Sequence, residues 1–108
     1  MNVFPLSLSD TCVDSMTLGR GGLQLHLSCP RRGKIEVHFQ EAIFVEAAGA
    51  VGGDLSHAEI LHDKDFISKV CQRVEDTYSD AWIAVSIWDV YCEDPVLKVV
   101  CKGVSLAP

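Results

Sequence analysis

The side chains in this sequence best suited to hold a metal or to activate a nucleophile are its four histidines and five cysteines. His57 and His62 stand close in sequence to Asp54, Glu59, Asp63 and Asp65, all possible oxygen ligands. The spacing works against a shared site. Residues five apart point about 140° from one another on a helix and to opposite faces on a strand. His26 and His38 are the other pair, with no strong third ligand beyond Glu36, and exposed strand histidines are the simpler reading. Cys12, Cys29, Cys71, Cys92 and Cys101 are odd in number and contain no C-x-x-C spacing. That argues against a disulfide framework and against common zinc patterns, so reduced and mostly buried thiols are expected.

Other catalytic patterns are equally thin. No G-x-S-x-G elbow is present, and Gly49-Ala50-Val51-Gly52-Gly53 is followed by Asp54 rather than by Lys-Ser or Lys-Thr, which suits a loop and not a phosphate cradle. Asp63 with Asp65, and Glu75 with Asp76, have the chemistry for acid and base work, but their expected places at helix ends suit capping and solvation. No catalytic residue, metal or cofactor is therefore assigned. The alternative from another class is a small metal-dependent or hydrolytic enzyme using His57, His62 and the neighbouring acids.

Charge is the more informative feature. The net charge of −6 disfavours nucleic acid and anionic membrane surfaces as partners, because both require Lys and Arg. Residues 1–40 carry three acids against four bases, residues 41–94 carry twelve against three, and the remainder carries only Lys98 and Lys102. The acidity belongs to the second half. It is either an ordinary solvated surface or a face for a basic partner.

The elements that position these groups follow from periodicity. Leu23-Gln24-Leu25-His26-Leu27-Ser28-Cys29 and Lys34-Ile35-Glu36-Val37-His38-Phe39-Gln40 alternate apolar and polar around the turn Pro30-Arg31-Arg32-Gly33, the pattern of an antiparallel hairpin with one buried face. To bury both apolar sets together, paired residue numbers must have an even sum such as 62 or 64, which brings His26 and His38 near each other on the outer face. Thr11 to Leu18 is expected as a preceding strand, and Ala42 to Ala47 as a continuation after a bend at Gln40-Glu41. His57 to Leu61 fits a short strand or a helical turn. Phe66, Ile67, Val70, Cys71 and Val74 recur at helical spacing, predicting one amphipathic helix over about 64–76 with Asp63 or Asp65 as N-cap. Ala81 to Trp88 and Val96 to Cys101 are expected as two late strands.

In a strand, Trp82 and Trp88 share a face with Ala84 and Ser86, opposite Ile83, Val85 and Ile87. The tryptophan face packs under the helix or meets a partner. With 48% hydrophobic residues and no composition break, residues 1–108 are expected to form a single domain. The expected fold class is α+β: a curved antiparallel sheet of about five or six strands with one amphipathic helix packed on one face. Residues 1–10 carry no Lys or Arg and no apolar run reaches membrane-spanning length, so a cytoplasmic protein is expected.

A resemblance bears on function. Leu8-Ser9-Asp10, Val13 to Leu18, the hairpin end Val37-His38-Phe39, Asp63-Lys64-Asp65-Phe66-Ile67, Trp82 to Ser86 and Cys92-Glu93-Asp94-Pro95 follow in an order that resembles small bacterial α+β proteins, some of them similar to immunity proteins of contact-dependent and polymorphic toxin systems. The resemblance implies a non-catalytic cytoplasmic inhibitor that binds a cognate toxin domain, often a nuclease. A nuclease must attract phosphate, so an acidic partner face complements it. The partner-binding residues assigned on this reading are Asp63, Asp65, Glu75, Asp76, Asp80, Trp82 and Trp88. A subunit that dimerises through an exposed sheet face is a further alternative, and monomer or homodimer is left undecided.

Overall fold

A computed structural model describes residues 4–107. It contains eight strands, β1 (Thr11–Gly19), β2 (Gly22–Cys29), β3 (Gly33–Gln40), β4 (Phe44–Ala47), β5 (Asp54–Leu61), β6 (Ile83–Asp89), β7 (Leu97–Cys101) and β8 (Gly103–Leu106), and one helix, α1 (Lys64–Arg73), between β5 and β6. All strand pairings are antiparallel, in one sheet of order β4-β7-β6-β5-β1-β2-β3-β8.

The sheet curls back on itself. Residues 41–43 carry β3 into β4, with Glu41 at φ 53°, and the single residue Lys102 carries β7 into β8. From Val37 onward the bent pair β3–β4 therefore runs beside the bent pair β7–β8, from Val37↔Leu106 to Ala47↔Leu97. Lys102 N–H donates to the Gln40 carbonyl at 2.9 Å across the bend. The opposite seam is thin: β1 and β5 pair only through Thr11↔Leu55 and Cys12↔Asp54. The loop after β4 reinforces it, because Gly52 N–H donates to Val13 O and Val13 N–H donates to Gly53 O where β1 bulges.

The alternating apolar residues turn inward. Leu23, Leu25 and Leu27 from β2, Val37 and Phe39 from β3, Leu55 from β5, Ile83, Val85 and Ile87 from β6, and Leu97, Val99 and Cys101 from β7 form one buried cluster. The β2–β3 register has the sum 62, Leu25 opposite Val37, as burial of both apolar sets requires. Gly22, at φ +127°, opens that hairpin, and a Cβ there would overlap the Phe39 carbonyl.

The expected fold class needs correction. The sheet has eight strands, not five or six, and the molecule is mostly sheet, so the α+β description holds only roughly. The expected continuation at Ala42 to Ala47 is present as β4, and the undercount has two other sources: β8 is four residues that follow β7 after Lys102 alone, too short to show an alternation, and the spacing of His57 to Leu61 leaves strand and helical turn open. Asp54–Leu61 is a strand throughout, which resolves the ambiguity at His57 to Leu61. The helix is shorter than the expected span of 64–76: it stops at Arg73, Val74 is its C-cap, and Glu75 takes φ 57°. It covers one end of the sheet. Ile67, Val70 and Cys71 meet Trp82, Ala84 and Val100 in a second, smaller cluster on the outer face of β6 and β7.

Candidate binding surface

The residues singled out for partner binding lie along and beyond α1. Asp63 caps the helix, its Oδ1 accepting from Phe66 N–H at 3.2 Å, and Asp65 follows in the first turn. At the other end, Asp76 N–H donates to Cys71 O and Asp76 Oδ1 accepts from Thr77 N–H at 2.8 Å. The chain then returns along the helix. Tyr78 lies under Lys64 Nζ, 5.7 Å from its ring centroid, and donates its hydroxyl to Asp80 at 3.3 Å. Asp63, Asp65 and Asp80 thus gather near the helix N-terminus, while Glu75 and Asp76 stand apart at its C-terminus. Burial and the Asp80 carboxylate push the Tyr78 hydroxyl above its ordinary pKa.

The two tryptophans separate. Trp82 is 3% exposed beneath the helix, and its Nε1 donates to Thr77 O at 3.0 Å. It holds the 77–80 loop and offers no contact surface of its own. Trp88 lies about 20 Å further along the strand, half-buried, on the outer face. Its ring stacks on His57 with centroids 4.7 Å apart and planes 5° from parallel, and its Nε1 donates to Glu93 O. The β6–β7 loop beside it exposes Tyr91 at 83% and Val90 at 54% among Asp89, Glu93 and Asp94. Asp89 organises this loop: Oδ1 accepts from Tyr91 N–H at 3.0 Å and from Cys92 N–H at 2.7 Å. These two bonds hold its carboxyl below the usual range, and the Cys92 thiol, 3.6 Å from Oδ2, is raised by the same carboxylate. Sequence reasoning did not single out Tyr91. The signal available was an aromatic inside a short acidic break between two apolar strands.

The histidines sort differently. His57 stacks on Trp88 and its Nδ1 lies 3.0 Å from Ser56 Oγ, while His62 lies beyond the end of β5. His26 and His38 share the outer face of the β2–β3 hairpin, and Glu36 lies between them, at 3.3 Å from His26 Nδ1 and 2.7 Å from His38 Nε2. Among the described residues no group of three or more His, Cys, Asp or Glu is disposed to hold a metal ion. All five cysteines are free thiols, with Cys71 and Cys101 buried and Cys92 exposed. Burial pushes the Cys101 thiol up to about 11, which makes it a poor nucleophile.

One electrostatic contrast remains. Asp14 pairs with Lys34, Glu36 with the two histidines, and Glu41 with Lys102, all within 4 Å. Among the described residues, the acids from Asp54 to Asp94 make no such pair with Lys or Arg. No helix among them is long and apolar enough to cross a membrane. No protein-family model, curated protein or solved structure matches the chain.

Proposed function

We propose that this chain acts by binding rather than turnover, presenting its acid-rich second half to a basic protein partner in the cytoplasm, as an immunity protein does to a cognate toxin domain. The observation that carries the reading is the set of acids from Asp54 to Asp94 that have no Lys or Arg partner among the described residues, in a chain that pairs Asp14, Glu36 and Glu41 internally. Unpaired like charges repel and cost the folded state some stability, a cost that a basic partner offsets on docking. The surface runs from Asp63, Asp65 and Asp80 at the start of α1 across Glu59 on β5 to Trp88 and the 89–94 loop, with Glu75 and Asp76 at its margin. Trp88 and Tyr91 are the aromatic anchors such an interface needs among rim charges. Trp82 supports the surface from beneath. The enzyme alternative rests on His57 and His62, and the His57 ring is engaged in stacking on Trp88.

An immunity protein is encoded beside its toxin, so the test takes the product of the adjoining reading frame as partner and measures association kinetics. Electrostatic steering makes association slow as salt rises, since the screening length is about 8 Å at physiological ionic strength. Reversing Asp63, Asp65, Glu75, Asp76 and Asp80 together to Lys is expected to weaken binding, and reversing Arg31 and Arg32 to change it little. Binding that survives the combined reversal refutes this surface. Absence of any complex refutes the immunity role.

A further inference from the structure

The geometry points to a second docking site of opposite chemistry: the outer edge of β4 and the adjacent side of α1 form a groove that takes an extended, acidic segment of a partner protein as an added β-strand. β4 is the terminal strand of the sheet order, with β7 its neighbour on one side. On the other side β2 begins at Gly22, opposite Gln40, so β4 runs on past the end of the hairpin. The ladder fixes which backbone groups this edge offers. Glu46 lies opposite Lys98, and Ala48 N–H donates to Val96 O at 2.8 Å, so the even-numbered residues exchange their bonds with β7. Val45 and Ala47 therefore turn one N–H and one C=O each away from the sheet, the template that an incoming strand requires.

The side chains beside that edge give the site its selectivity. Phe44 and Glu46 from β4 and Phe66, Val70, Lys69 and Arg73 from α1 line a groove of about 610 Å³. Its floor is aromatic: Phe44 and Phe66 meet edge to face, with centroids 5.6 Å apart and planes at 88°. Lys98 Nζ lies 4.4 Å from the Phe66 ring centroid, which adds a third cation. Glu46 is the opposing charge. Among the described residues, Lys69 and Arg73 have no ion-pair partner. Three bases against one acid, on a chain of net charge −6, make this groove the place where an acidic strand meets attraction rather than repulsion. An incoming strand sends alternate side chains toward α1, so carboxylates at that spacing face Lys69 and Arg73 while its backbone pairs with Val45 and Ala47. This site is independent of the acidic surface proposed above and uses none of its residues.

The probe is a blocked peptide of alternating valine and glutamate, compared with one of alternating valine and lysine, with the intact chain titrated by fluorescence anisotropy and amide hydrogen exchange. The glutamate peptide is expected to bind and to slow exchange of the Val45 and Ala47 amides. Ala47→Pro removes an outward N–H that no strand of the sheet uses, and is expected to weaken binding about tenfold, the equivalent of one backbone hydrogen bond. The double variant Lys69→Glu with Arg73→Glu, at exposed helix positions, is expected to reverse the preference toward the lysine peptide. It decides the matter if Ala47→Pro fails to fold. The site is overturned if the glutamate peptide fails to bind, or if its binding ignores the double reversal. Concentration-dependent dimerisation that Ala47→Pro abolishes, without peptide binding, makes a second copy the occupant and overturns the assignment to an acidic partner segment.

Discussion

The β1–β2–β3 meander and the β5–α1–β6 segment treat charge in opposite ways. In the meander, Asp14 meets Lys34, Ser28 donates to Asp14, and Glu36 lies between His26 and His38, so the outer face satisfies itself. From β5 to the end of the β6–β7 loop, carboxylates are bound to backbone N–H groups at Asp63, Asp76 and Asp89 and, among the described residues, to no Lys or Arg. Carboxylates used as caps shape loops yet keep their charge uncancelled. The first arrangement closes a surface, and the second leaves it a field to attract a partner.

Four tests can break or sharpen this contrast. The largest effect lies in the shared interior, where charge plays no part. Phe39→Ala, at a fully buried position, is expected to cost about 3–5 kcal/mol and Ile67→Ala, in the smaller helix-side cluster, about 2–5 kcal/mol, both measured by urea unfolding. A negligible loss at Ile67 would mean that the helix contributes little to holding the acidic segment. Next, Asp63→Ala removes the only side-chain cap of α1 among the described residues and is expected to cost about 1 kcal/mol, with weaker exchange protection at Phe66.

The charge contrast itself is tested by reversal. Glu36→Lys removes the carboxylate that contacts both His26 and His38, whereas Glu93→Lys and Asp94→Lys act in a loop whose acids have no Lys or Arg partner among the described residues. The first is expected to destabilise by up to about 1 kcal/mol, and the other two to be neutral or stabilising within about 0.5 kcal/mol. Equal losses at all three positions would erase the distinction between the regions. The smallest effect concerns acid. The folded carboxyl of Asp89 sits below its unfolded value, so its contribution is present above the unfolded carboxyl pKa of about 3.9 and is lost as pH falls through the folded value. Asp89→Asn is expected to flatten that part of the stability curve and to speed amide exchange at Tyr91 and Cys92. An unchanged acid limb would remove Asp89 as the organiser of the loop.

How much of this was legible depended on the range of each interaction. The even parity of the hairpin register and the inward set Ile83, Val85 and Ile87 follow from local alternation, so sequence spacing sufficed, whereas the choice of sum 62 over 64 and of Asp63 over Asp65 as cap was made by the structure. The strand count did not follow, because β8 is defined by its pairing with β3 and not by its own four residues, and the alternation of His57 to Leu61 alone did not separate a strand from a helical turn. The place of the two tryptophans was open for a similar reason: strand parity puts them on one face, and only the position of α1 covers Trp82 and leaves Trp88 beside Tyr91.

The sequence alone determined which residues turn inward, where the chain turns, and that its acidity lies in the second half, because period, turn chemistry and charge are properties of neighbouring residues. The tertiary structure decided that the sheet curls back through the bends at residues 41–43 and Lys102, that Glu36 falls between two histidines, and that β4 keeps an open edge beside Lys69 and Arg73. These depend on contacts between residues distant in sequence, whose partners are chosen by the packing of the whole interior and not by any local pattern.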